Sequence, residues 1–121
     1  MQPYGHILVV ASDAVLCDFL AEALGDEGYV VRACHDVESA RTALARQSVS
    51  LLICEFHLRG ILCAPFIPEL RHTSLNGVPV IILADDPLAV QDLNLSDIAY
   101  CLPMPFELDA LLDCVASFNP P

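Results

Sequence analysis

Lysine is absent from this sequence. Its five basic side chains are all arginine and stand against sixteen Asp and Glu, giving a net charge of −11. Neutralisation of phosphates by cationic side chains supplies most nucleic-acid affinity, so direct nucleic-acid binding is not an expected function. No apolar run approaches the roughly 18 residues that a membrane-spanning helix needs. The first residues, Met1-Gln2-Pro3-Tyr4-Gly5, contain no basic segment followed by an apolar stretch, so no signal peptide is expected and the chain is placed in the cytoplasm. Six cysteines, at positions 17, 34, 54, 63, 101 and 114, include no C-x-x-C pair, and most lie inside apolar runs. They read as structural thiols rather than a disulfide framework or a metal site. No glycine-rich phosphate loop follows the first apolar run, which speaks against flavin or nucleotide binding, and no cofactor is expected.

What is present is a core-rich chain of 121 residues, 55% apolar, the size of one domain spanning residues 1–121. The stretch from Leu51 to Gly60 organises it. Leu51, Leu52, Ile53 and Cys54 form a short continuous apolar run, the pattern of a strand buried on both faces, and lead straight into Glu55 and a glycine-containing turn. Strand ends are where sites sit in open α/β sheets, so Glu55 is a candidate site residue. The plain alternative is a strand-end acid with no task.

The rest of the chain alternates in the same way. His6 to Ala11 reads as a buried strand, and Ser12 or Asp13 can cap a helix whose apolar positions are Val15, Leu16, Phe19, Leu20, Ala23 and Leu24. That helix is expected to stop at Gly25 to Gly28, before a second strand over Tyr29 to Cys34. Asp36 can cap a second helix reaching about Arg46, with Ala40, Ala43 and Leu44 as its apolar stripe. Leu62 to His72 predicts a third helix with a late or broken start, because Pro65 and Pro68 cannot both sit in a helix interior. Asn76-Gly77 marks a turn and Val78 to Leu83 a fourth buried strand. A fourth helix is short, about Pro87 to Leu93. Ala99 to Leu102 is the last strand. Pro105 can start a final helix with Leu108, Leu111, Leu112, Val115 and Phe118 on one face.

Five strands alternating with five helices imply parallel β-α units with right-handed crossovers. The expected fold is therefore a flavodoxin-like doubly wound (βα)5 sandwich with a five-stranded parallel sheet of order 2-1-3-4-5. Fold alone does not settle function, which has to be argued from the carboxyl ends of the strands.

Four pieces in order resemble the receiver domain of two-component response regulators. Ile7-Leu8-Val9-Val10 with its capped helix and Gly28-Tyr29-Val30-Val31 resembles that family's opening. Leu51 to Gly60 is similar to its phosphoacceptor strand and loop, and Val78-Pro79-Val80-Ile81-Ile82-Leu83-Ala84 to its fourth strand. Tyr100 to Phe106, with Pro103 and Pro105, resembles its closing Leu-Pro-Lys-Pro-Phe turn. The resemblance implies an acidic pair after strand one and an aspartate after strand three that bind Mg²⁺. The aspartate accepts a phosphoryl group, a hydroxyl after strand four senses it, and a lysine after strand five pairs with it.

Position by position, this sequence departs from that set. The acidic pair falls on Ala11 and Ser12, with Asp13 one place late; the acceptor falls on Glu55, the hydroxyl on Ala84 and the lysine on Met104. The family's aromatic falls on Cys101, with Tyr100 beside it. Alanine and serine leave Mg²⁺ short of ligands, methionine cannot neutralise a phosphoryl group, and alanine cannot donate the sensing hydrogen bond. Glu55, one methylene longer than aspartate, is expected to project outward, where it could imitate an acyl phosphate. Ser12 and Asp13 also read as a helix cap, Ala84 and Met104 as packing in an emptied pocket, and His57 as a solvent-facing loop residue. Glu55, His57 and Gly60 spell E-x-H-x-x-G, close to a cobalamin motif. That motif follows the first strand in its own family, and its later glycine pair is missing here.

The expectation is a degenerate receiver-like signalling module that is not an enzyme and acts by contact with a protein partner: a histidine kinase, a phosphorelay component or an output protein. Its expected recognition face, for a partner or a second copy, comprises helix four, strand five and helix five. Two alternatives stand beside it, an atypical phosphoacceptor using Glu55 or Asp13, and a small-ligand site near Ala84 and Met104.

Overall fold

The computed structural model describes residues 6–46, 49–55, 57–58, 61–62, 78–85 and 100–118. In chain order the elements are β1 (His6–Val10), α1 (Ala14–Asp26), β2 (Val30–Cys34), α2 (Val37–Arg46), β3 (Leu51–Glu55), β4 (His57–Leu58), β5 (Ile61–Leu62), β6 (Val80–Ala84), β7 (Tyr100–Pro103) and α3 (Leu108–Phe118). Five of the strands form one parallel sheet of order β2-β1-β3-β6-β7. This is the expected 2-1-3-4-5 order. The third and fourth helices, the Asn76-Gly77 turn and Pro65 and Pro68 lie outside the described residues.

The apolar runs become strands because both faces of the sheet are covered. Leu8, Val10, Leu52, Cys54, Val80, Ile82 and Ala84 point to one side, in one buried cluster with Ala40, Ala43 and Leu44 of α2. Ile7, Val9, Leu51, Ile53, Ile81 and Leu83 point to the other, packed with Cys17, Leu20 and Leu24 of α1 and Leu111 and Val115 of α3. Alternation of side chains along each strand produces the two clusters, and double-sided burial selects the unbroken apolar runs.

The register explains why the thiols stay apart. Cys34, Val10, Cys54, Ile82 and Cys101 form one row across the sheet. Val10 and Ile82 separate the three cysteines, so neighbouring thiols of the row sit two strands apart. At ~4.8 Å per strand that is roughly 10 Å, beyond the ~7 Å Cα separation a disulfide can bridge. The five described cysteines are free.

Several local readings are revised. The buried stripe of α1 is Cys17, Leu20 and Leu24, while Val15 is 77% and Phe19 44% exposed. Both had been assigned to the apolar face, but one helix on a flat sheet buries a stripe narrower than six positions. In α3 the buried residues are Leu111 and Val115, and Leu108 and Phe118 stay partly exposed at the two ends. Pro105 precedes that helix by three residues and follows a cis Met104–Pro105 peptide. Beyond Glu55 the backbone makes a small antiparallel ladder pairing His57 with Leu62 and Leu58 with Ile61, so Leu62 is a strand residue rather than a helix start and His57 is not in a loop. The stop signal of α1 holds: Gly28 takes φ 100°, a conformation that a side chain would strain.

Ile53 is fully buried in the central strand. Replacing it with alanine is expected to destabilise the fold by about 2–5 kcal/mol through lost burial and the cavity left behind. A urea unfolding curve should show this as a lowered midpoint with little change in slope.

Candidate functional site

The parallel register brings the carboxyl ends of β1, β3, β6 and β7 to one edge. Val10 pairs with Cys54, Glu55 with Leu83 and Ala84 with Pro103. Ala11, Ser12, Asp13, Glu55, Ala84 and Met104 therefore follow or end adjacent strands at the same rim, although they are scattered along the chain.

Glu55 is half-buried and does not project outward. Its Oε1 accepts a hydrogen bond from the Ser12 backbone N–H at 2.8 Å and a second from the Ser12 hydroxyl at 3.3 Å, across 43 residues of sequence. The extra methylene lets the carboxylate reach back over the β1–α1 corner. There it meets an amide at the start of a helix, a place that favours negative charge.

Asp13 is engaged differently. It is the N-cap of α1, and its Oδ1 accepts from the Val15 N–H at 2.9 Å and the Leu16 N–H at 3.4 Å. Two amides left over by helix geometry are thereby satisfied. Ala11 is fully buried, and its N–H donates to the Cys34 carbonyl. The Ala11 carbonyl accepts from the Cys17 thiol and from His35 Nδ1, both at 3.2 Å. A carbonyl can only accept, so His35 carries its proton on Nδ1. This His35–Cys17 contact, 3.5 Å between Sγ and Nδ1, was not foreseen; the only hint in the sequence is that His35 directly follows an apolar strand.

On the other side of the rim, Ala84 is buried and its carbonyl accepts from the Met104 N–H at 2.9 Å. Met104 is half-buried against the α1/α3 side of the core. Cys101 packs on the opposite side, against the α2 cluster.

The donor set bears directly on the Mg²⁺ that the resemblance implies. A magnesium ion needs near-octahedral oxygen ligation from convergent groups. At this corner Ala11 offers a methyl, Ser12 uses its hydroxyl and amide on Glu55, and Asp13 turns a carboxylate oxygen onto its own helix. Among the described residues no three His, Cys, Asp or Glu side chains come together as a metal site. The residues do not fit the ion.

The thiols near the site are shielded. Burial pushes the Cys17 thiol up, with a smaller push from the negative charge of Glu55 and against the hydrogen bond to Ala11. Burial likewise raises Cys34, Cys101 and Cys114. Thiolate is the reactive form, so Cys17 and Cys34 should react with an aromatic disulfide reagent at pH 7 only at the rate the protein unfolds, and at once in denaturant.

Capping gives a second test. Asp13→Ala removes the bonds to two amides and is expected to cost about 1 kcal/mol in chemical denaturation, whereas Asp13→Asn retains most of that stability. A ligand role for Asp13 would instead appear as loss of cation binding without loss of stability.

No family model matches this sequence, and no curated protein matches it. Solved structures do. The receiver domain of a sensor histidine kinase from Pseudomonas aeruginosa, with magnesium coordinated in its active-site cleft, superimposes with a TM-score of 0.84 at 21% identity, covering 95% of this chain and 97% of that one. The response regulator TrrA of Thermotoga maritima, in complex with Mg²⁺ and BeF, gives 0.84 at 23% identity over 94% and 98% of the two chains. A chemotaxis response regulator of Vibrio cholerae gives 0.85 at 17% identity over 95% and 98%. With nearly the whole chain superimposed and the strand order shared, this protein has the fold of a response-regulator receiver domain.

Proposed function

We propose that this chain is a receiver-like module of two-component or phosphorelay signalling that acts without phosphotransfer, by binding a protein partner in the cytoplasm. One observation carries the reading. The carboxylate at the acceptor position, Glu55, is already hydrogen-bonded to Ser12, and among the described residues around it there is neither a metal nest nor a counter-cation. Phosphoryl transfer depends on preorganised positive charge around the transferring group. With Met104 where the resemblance places a lysine that charge is missing, and Ala84 offers no hydroxyl.

On this reading the pocket holds one state rather than switching between two, because no ligand with different affinity for two states is accommodated. The chain is not an enzyme. Its surfaces do the signalling, and the end of the sheet formed by β7 and α3 is the proposed partner-facing side. It exposes Asp109 and Asp113, with Leu108 and Phe118 at the helix ends. A histidine kinase, another phosphorelay component or an output protein is the class of partner that the fold suggests.

The test is incubation with acetyl phosphate, and separately with beryllofluoride, each with Mg²⁺. The expected result is an unchanged intact mass and an amide spectrum unaltered at Ser12, Glu55 and Ala84. A mass gain of one phosphoryl group, lost in a Glu55→Gln variant, would establish an atypical acceptor and overturn the proposal.

A further inference from the structure

Charge is unevenly distributed over this fold. Three of the five arginines, Arg32, Arg41 and Arg46, fall between residues 30 and 46, with only Asp36 and Glu38 as acids there. Arg41 pairs with Glu38, whereas the exposed Arg32 and Arg46 make no ion pair within the described residues. The β2–α2 edge is therefore slightly positive on a strongly negative molecule. Helix α1 is the opposite case: it carries Asp18, Glu22 and Asp26, all exposed at a spacing of four, and no basic residue.

The two surfaces also differ in relief. Beside the acidic ladder of α1 stand Val15 and Phe19, one turn apart and both left exposed. At the β2–α2 edge, Val30 is 50% exposed, and a hollow of about 400 Å³ opens between strand and helix, lined by Arg32, Cys34, His35, Glu38 and Thr42 among others. One surface thus carries an aromatic knob with acidic neighbours, the other a hollow with an arginine in its lining. α1 and α2 cover opposite faces of the sheet, so one molecule cannot bring its own two surfaces together.

We propose that this chain associates head to tail with a second copy of itself. Phe19 of one copy enters the β2–α2 hollow of the next, Val15 lies against Val30, and Asp18 and Glu22 face Arg32 and Arg46. A second copy is the chosen occupant because the chain carries both complementary halves. The arginine at the hollow adds a cation–π contact to the aromatic ring. Such an interface is heterologous, so a pair of copies keeps one free surface of each kind, a hollow on one and a knob on the other, and the assembly grows. At physiological salt the repulsion of two net-negative bodies is screened beyond roughly 8 Å, leaving the close charge pairs to act.

Sedimentation velocity on the full chain, over a hundredfold concentration range and at physiological and high salt, tests this. The expected result is a mean mass that rises with concentration and falls with added salt. Two variants altered only at exposed or half-exposed positions, Arg32→Glu with Arg46→Glu and Val15→Ser with Phe19→Ser, should each keep the native circular dichroism and stay monomeric. Mixed in equal amounts they should form a dimer and nothing larger, since one retains the knob and the other the hollow. A wild-type chain that stays monomeric throughout would overturn the proposal. So would association untouched by both variants, or variants whose mixture fails to recover a dimer, which marks a symmetric interface elsewhere.

Discussion

Burial of the central sheet on both faces is the constraint from which the rest follows. Once the side chains of β1, β3 and β6 are buried in a cluster with α1 and α3 on one side and in a cluster with α2 on the other, polar side chains are excluded along their length, and among the described residues none is buried. Polar chemistry is displaced to the strand ends. The parallel register then lines those ends up, so that residues as distant in sequence as Ser12 and Glu55 meet at one corner. Site and core are two results of the same packing.

At that corner the hydrogen bonds are satisfied from within. The Ser12 amide and hydroxyl converge on one carboxylate oxygen, and the Asp13 carboxylate holds the first turn of α1. An unmet donor at a helix start ordinarily invites an anion. Here the protein supplies its own in the Glu55 carboxylate. The neighbouring carbonyl of Ala11 is similarly occupied by Cys17 and His35. The same packing leaves Val15 and Phe19 outside, since the side of α1 that meets the sheet is already filled by Cys17, Leu20 and Leu24.

The strands were legible because double-sided burial writes itself as unbroken apolar runs: Leu51 to Cys54 and Val80 to Leu83 could hardly be anything else. Boundaries were less so. Val78 and Pro79 resemble the strand they precede, yet pairing begins at Val80, opposite Leu52. The final helix begins at Leu108 rather than at Pro105, because the chain first turns at Met104 and Pro105, and Leu111 donates back to the Glu107 carbonyl. Periodicity overcounted the apolar face of α1, since spacing alone does not record how wide a stripe a flat sheet can cover.

By itself, the sequence determined the layer architecture, the strand order through the alternation of strand and helix, and which residues, Ala11, Ser12, Glu55, Ala84 and Met104, follow or end the strands whose ends meet. These are matters of residue type and local pattern. Only the tertiary structure decided where the Glu55 carboxylate goes, that Asp13 and not Ser12 caps α1, and which apolar residues of that helix stay in water. Each depends on distances between groups far apart in the chain, and those distances exist only after the sheet has brought its strand ends together.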